Sequence, residues 1–291
     1  MEERLQKILA RAGYGSRRSC ELLITAKRVR VNGTLAVLGS KADPARDVIT
    51  VDGREIKVES PVYIALNKPR GVLSDAETGD TRQTVLDLVP ESRHLFPVGR
   101  LDKDSEGLIL LTNDGELANR LTHPRYEHEK EYRVLLAVRP DEEQLETWRR
   151  GVVMEDGHRT LPAEVEIEST YGKGAWVRVV LREGKKRQIR EVGKLLGMPV
   201  VRLIRVRISG LTLGSLKPGE WRYLSPKEVE ELESGKARPS PRRRLNRVSK
   251  PNERRPQPKP RQKGSPSPSP KPGRRGEANP RRNPPKKRNI S

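Results

Sequence analysis

Between residues 99 and 107 the chain reads Gly99-Arg100-Leu101-Asp102-Lys103-Asp104-Ser105-Glu106-Gly107, with six polar side chains in nine positions. Phe96 and Val98 precede this stretch, and the apolar run Leu108-Ile109-Leu110-Leu111 follows it. Polar groups at the mouth of a buried strand are held rigidly, which is how a reactive site is preorganised. A calcium loop is one chemistry the spacing allows, because Asp102, Asp104, Glu106 and Gly107 fall on positions 1, 3, 5 and 6 of an EF-hand. Against it, Asn113 stands where the bidentate Glu belongs, Leu110 holds the ninth position, and the flanks read as strands. A charged surface turn is the bland alternative.

Other chemistries lack their parts. The chain has no G-x-x-x-x-G-K-[ST] phosphate cradle, no G-x-G-x-x-G after a strand and no G-x-S-x-G elbow. The four histidines, His94, His123, His128 and His158, lack metal spacing and read as surface or turn residues. A single cysteine, Cys20, excludes a disulfide framework and a Cys-based zinc site, and reads as a small core residue.

The elements that must position the loop can be read in outline. Val62 to Leu66, Leu108 to Thr112, Glu131 to Leu136, Ala175 to Leu181 and Val200 to Ile208 read as strands. Asn67 to Gly71 is a turn set by Pro69 and Gly71. Glu116 to Leu121 and Ile189 to Leu196 read as helices, the second stopped by Gly197 and Pro199. Strands and helices mix without a βαβ period, so the class is α+β with a largely antiparallel sheet.

Upstream, Leu5, Ile8, Leu9 and Ala12 follow helical spacing, with Gly13 as the stop and Ser16 as N-cap of a second helix. Arg17 and Arg18 open that helix, where the dipole disfavours cations, which points to an external anion. Asn32-Gly33 and Asp52-Gly53 between β-prone runs mark hairpins. The basic face of this unit reads either as an RNA contact or as a solvated surface.

The chain has 291 residues with 60 Lys+Arg and 39 Asp+Glu, a formal net charge of +21. Residues 236–291 alone hold 20 of those bases, two acids and 13 prolines, so they carry +18 of the charge. Five apolar residues there are too few to offset the entropy of ordering, and the segment reads as a disordered basic arm. The preceding body is long enough for a sizeable core. No apolar run approaches the ~18–20 residues of a membrane span, and the N-terminus has no signal-peptide core. The expectation is a cytoplasmic protein with a polyanionic partner and no membrane association.

Two resemblances sharpen this. RLQKILARAGYGSRR, KRVRVNG and DVITVDG resemble the S4 RNA-binding domain. GRLDKDSEGLILLTNDGELANRLTHP, EKEYRVLL, REGKKRQIREVGKLLG and RLIRVRISGLTLGSLKPGEWRYLS resemble the RsuA-like family of bacterial ribosomal RNA pseudouridine synthases, closest to its large-subunit, RluB-type branch. NKPRG at Asn67 to Gly71 matches the family's start of the catalytic domain. The implied organisation is an S4 domain over 1–60, a catalytic domain over 61–233 and a basic tail over 234–291.

The resemblance implies isomerisation of uridine in ribosomal RNA, most readily a 23S hairpin, by a monomer that uses no metal and no organic cofactor. It makes Asp102 the catalytic residue, Tyr132 the ring that stacks on the target base, and Arg190 the cation paired with Asp102. A nearby cation favours the charged form of a carboxylate. The base must leave its stack, so base flipping is expected, with Arg100 supporting the flipped strand. Lys7, Arg11, Arg17, Arg18 and Lys27 map to the RNA face of the S4 helix pair. Lys68, Lys185, Lys186 and Arg187 are expected phosphate contacts. The same motifs serve 16S rRNA and tRNA enzymes, and a catalytically retired ribosome-assembly factor would keep the S4 face and the tail.

Overall fold

The computed structural model describes residues 2–75, 80–91 and 94–235. The tail reading lies outside these residues. The N-terminal unit comprises β1 (Glu3–Arg4), α1 (Leu5–Arg11), α2 (Arg17–Thr25), β2 (Val29–Val31), β3 (Thr34–Leu35), β4 (Lys41–Ala42), β5 (Ile49–Val51) and β6 (Arg54–Glu55). Leu5, Ile8 and Leu9 of α1 pack on Cys20 and Ile24 of α2 and on Val29, Ile49 and Val51 of the sheet. Ser16 caps α2 by accepting the Ser19 amide, and Gly13 at φ 84 ends the first helix segment. Asn32-Gly33 and Asp52-Gly53 all have positive φ, as two-residue hairpin turns of the right twist require.

The second unit follows with β7 (Tyr63–Lys68), β8 (Phe96–Pro97), β9 (Glu106–Thr112), α3 (Gly115–Thr122), β10 (Lys130–Leu136), α4 (Glu142–Arg150), β11 (Glu164–Tyr171), β12 (Gly174–Leu181), α5 (Gln188–Leu195), β13 (Val200–Ile208), β14 (Leu211–Thr212), β15 (Trp221–Tyr223) and α6 (Pro226–Ser234). Among the described residues its sheet runs in the order β11-β12-β10-β13-β9-β7-β15, with β14 on β13 and β8 on β9. Every pairing is antiparallel except β9 with β13. The class is α+β with a mainly antiparallel sheet, as the sequence implied. All seven residues of β9 are buried, which explains its unbroken Leu-Ile-Leu-Leu run.

The parallel seam between β9 and β13 depends on Gly107. It takes φ 104, and a Cβ there would lie 2.2 Å from the Arg205 carbonyl oxygen. Only glycine combines that conformation with that approach. Elsewhere on the sheet, Arg207 is buried. It donates to Glu131 at 3.1 Å, to Glu129 at 3.3 Å and to the Ser209 carbonyl at 2.9 Å. Burial alone would raise the Glu131 carboxyl, but hydrogen bonds from Arg207 and Arg178 outweigh it and hold the group below its ordinary value.

Candidate active site

Loop 99–105 leaves β8 and enters β9, and its backbone is clamped on several sides. Ser74 Oγ donates to the Leu101 carbonyl at 2.7 Å and accepts the Leu101 amide at 2.9 Å. The Gly71 amide donates to the Lys103 carbonyl at 2.8 Å, and the Ser105 amide donates to the Asp102 carbonyl at 3.0 Å.

Three cationic side chains complete the clamp. Lys68 ends β7 and is fully buried. Its ammonium donates to the carbonyls of Ser105 at 2.8 Å, Pro69 at 3.0 Å and Lys103 at 3.4 Å. This corrects the expectation of a phosphate contact. Lys68 lies opposite Gly107 across the β7–β9 pairing, and its side chain ends on the loop carbonyls instead of in solvent. Burial pushes its pKa down to about 8, against the pull of Asp102, Glu106 and Asp104. Arg190 of α5 donates to the Asp104 carbonyl at 3.0 Å, to Ser105 Oγ at 3.3 Å and to the Val200 carbonyl at 3.4 Å. Arg205 of β13 donates to the carbonyls of Leu108 at 2.7 Å and Arg100 at 3.4 Å.

The carboxylate that emerges from this frame is that of Asp102. Its ion-pair partner is Arg187, at 3.8 Å. The expected Asp102–Arg190 pair is thus corrected. Arg190 turns to the loop backbone and reaches Asp102 only through its charge, whereas Arg187, at φ 55 just before α5, brings its guanidinium to 3.8 Å from the carboxylate. Both burial and the neighbouring Arg187 push the Arg190 guanidinium below its ordinary value.

Asp102 lines a cleft of about 370 Å³. Tyr132 of β10 forms part of its wall, directly across the sheet from Arg205. Arg100, Lys185, Lys186 and Arg187 line it too and are exposed. The structure therefore gathers Asp102, Tyr132 and four of the expected RNA contacts in one place. Two further residues stand on its wall, His128 and Lys130, the second of them unnoticed in the sequence. Lys130 donates to the His128 carbonyl at 3.2 Å, and burial beside Arg205 pushes it down to about 8. His128, read as a surface or turn residue, lies in the connection before β10 but is buried there, and its Nε2 has no hydrogen-bond partner among the described residues.

The expected S4 contacts do not join this cleft. Lys7, Arg11 and Arg17 line a second hollow of about 530 Å³, between the α1–α2 pair and segments 94–96 and 113–116. Arg17 donates to the Gly115 carbonyl at 3.4 Å, and Arg11 pairs with Glu3. Arg18 and Lys27 are exposed and line neither hollow. The calcium reading fails on geometry, because Glu106 and Gly107 are already strand residues of β9 and Glu106 is engaged by Arg202 at 2.8 Å. Among the described residues no group of three or more His, Cys, Asp or Glu is placed to hold a metal ion.

A carboxylate on a rigid loop, in a cleft that it shares with an aromatic ring and exposed cations, suits chemistry on one unit of a polyanion. Comparison with known proteins agrees. Residues 62–193 match the model of the RNA pseudouridylate synthase family, and residues 3–42 match the S4 domain. Ribosomal large subunit pseudouridine synthase B of Bacillus subtilis is 41% identical over 234 residues, covering 79% of this chain and 95% of that one. The chain belongs to the RsuA-like family of RNA pseudouridine synthases. An uncharacterized RNA pseudouridine synthase of Aquifex aeolicus is 40% identical over 235 residues, 80% of this chain and 94% of that one. A crystal structure of a pseudouridylate synthase superposes with a TM-score of 0.58 at 32% identity, covering 79% of this chain and 99% of that one. Among the described residues of this synthase no helix is long and apolar enough to cross a membrane.

Proposed function

We propose that this synthase isomerises a uridine of ribosomal RNA, in a 23S hairpin, with Asp102 as the catalytic residue. One observation carries the reading: the Asp102 carboxylate stands in a cation-lined cleft, 3.8 Å from Arg187, on a loop whose carbonyls three buried or half-buried cations hold in place. The large-subunit name of the Bacillus subtilis relative supports the choice of RNA.

The reaction breaks the N1–C1′ bond, turns the uracil and joins C5 to C1′. C5 loses a proton and N1 gains one. Attack at C1′, attack at C6 and assisted elimination to a glycal all use an ionised carboxylate beside the base, and Arg187 supplies the opposite charge. A duplex hides the reacting atoms, so the uridine enters flipped out of its stack, against Tyr132. Tyr132 is also the candidate acceptor of the C5 proton. Arg100 supports the flipped strand, while Lys185 and Lys186 hold phosphates, which position RNA without reading it.

Two measurements test the proposal. Asp102→Asn should bind RNA as the wild type does and yield no pseudouridine. Normal yield from that variant under single-turnover conditions would remove Asp102 from the mechanism. Pseudouridine mapping of total RNA from a deletion strain should lose one 23S site. Loss from 16S rRNA or tRNA reassigns the substrate, and an unchanged map makes the chain a retired assembly factor.

A further inference from the structure

The turn between α3 and β10 carries a row of rings that the isomerisation chemistry does not use. Pro124–Tyr126 forms one 3-10 turn at the lip of the cleft. Its shape is fixed: His123 Nδ1 accepts the Arg125 amide at 3.2 Å, the Tyr126 amide donates to the His123 carbonyl at 3.1 Å, and Glu127 takes φ 47. Tyr126 is 40% exposed on this frame. The exposed Arg125 guanidinium lies over its ring, 4.5 Å from the centroid, and also donates to its hydroxyl.

The row continues inward. His123 meets Tyr126 edge-on at 6.2 Å, and His128 lies 6.2 Å from Tyr126 on the buried side. His123, Pro124 and His128 line the same cleft as Asp102 and Tyr132. Among the exposed aromatic side chains Phe96, Tyr126, Tyr171 and Tyr223, only Tyr126 has residues of this cleft two positions away on both sides, Pro124 and His128. An aromatic face backed by a guanidinium is the surface on which unstacked nucleobases settle.

We propose that Tyr126, with Arg125 and His123, forms a stacking subsite for the nucleotide next to the flipped uridine. This rests on the reading that a uridine enters the cleft flipped. Flipping takes a stacking partner from the neighbouring base, and a ring fixed at the lip replaces it. Every base has a π face, so the subsite grips the strand without choosing the uridine.

Photo-crosslinking tests the subsite without calling on isomerisation. The full chain is irradiated with a nine-nucleotide oligouridylate in which 5-bromouridine replaces uridine, and the adducts are mapped by mass spectrometry. The expected adduct is on Tyr126. Tyr126→Leu should lose it and bind the oligonucleotide about tenfold more weakly, with an unchanged unfolding temperature. Tyr126→Phe should keep both adduct and affinity. Adducts confined to other segments, or a Leu variant that binds as tightly as the wild type, would overturn the proposal. Failure of the Asp102 test leaves this readout intact, and failure here leaves the Asp102 test intact.

Discussion

Lys68→Met separates a structural ammonium from an RNA contact. Met keeps the length of the stem and removes the charge. The lost bonds to Ser105 and Pro69, at 2.8 and 3.0 Å, leave buried carbonyls at a cost of about 1–3 kcal/mol each. Against this, the fall of the Lys68 pKa from 10.5 to about 8 corresponds to roughly 3 kcal/mol that the folded protein no longer spends on a desolvated charge. The two effects nearly cancel, so stability should fall by only about 1–2 kcal/mol. Turnover should fall much further, because a loop displaced by about 1 Å costs roughly 10²-fold in rate. The assay is single-turnover release of the C5 hydrogen as tritium at saturating RNA, beside the salt dependence of binding. A variant with normal single-turnover rate, weaker binding and a log–log salt slope reduced by about one would refute the reasoning and return Lys68 to the phosphate contacts. The pH dependence of stability has a definite sign. Between about 8 and 10.5 the unfolded chain holds a proton at Lys68 that the folded chain has lost, so the wild type gains stability on the Met variant as pH rises through that window.

Gly107→Ala places a Cβ 2.2 Å from the Arg205 carbonyl oxygen at φ 104 and should cost about 2–5 kcal/mol in urea unfolding; a midpoint shift worth under 1 kcal/mol would contradict the seam geometry. Arg190→Ala and Asp102→Asn should be far from additive in single-turnover rate, and recovery of the Arg190→Ala rate at low salt would make Arg190 a phosphate contact. The Arg222 guanidinium holds Glu228 down at about 2, so this pair stabilises above the ordinary 4.5 and is lost as pH falls through about 2. Being partly exposed it is worth about 1 kcal/mol, and acid unfolding of Glu228→Gln should show that difference vanish at low pH. Ending the chain at Gly235 should lower the log–log salt slope of RNA binding by about 3–5 if ~5 tail charges reach phosphates, with the modified uridine unchanged; an unchanged slope would deny the tail an RNA role.

The loop was legible because six polar residues abut an apolar run that only a fully buried strand explains. Asp102 and Tyr132 followed from their blocks, and both line the cleft. Lys68 was misread because its residue type says cation, while its destination depends on where a loop over thirty residues away leaves its carbonyls. Arg187 and Arg190 stand three residues apart in one segment. Arg187, the one that stands 3.8 Å from Asp102, takes a positive φ that no spacing announces. Arg205 was read only as a basic position of the strand Val200 to Ile208, and Lys130 fell just outside the strand read from Glu131. Helix α4 was overlooked although Asp141 and Gln144 form a capping box and Leu145 and Trp148 mark its buried face. Two residues of signal in a polar stretch were outweighed by the charge around them.

The β9–β13 seam bears on how the chain folds. It consists of Ile204 against Glu106 and Arg205 against Gly107, joining segments about a hundred residues apart. Strands β11 and β12 pair as near neighbours, whereas β10 with β13, β9 with β13 and β7 with β15 join segments about 70, 100 and 155 residues apart. Local pairings form early, and the distant junctions, the β9–β13 seam among them, meet the larger closure entropy and the slower search. The loop bearing Asp102 belongs to the β9 side of the seam, while Tyr132, Arg187, Arg190 and Arg205 belong to the β13 side. Refolding followed by circular dichroism and by activity should show activity recovering last, because Asp102 meets Tyr132 and Arg187 only once β13 has closed on β9.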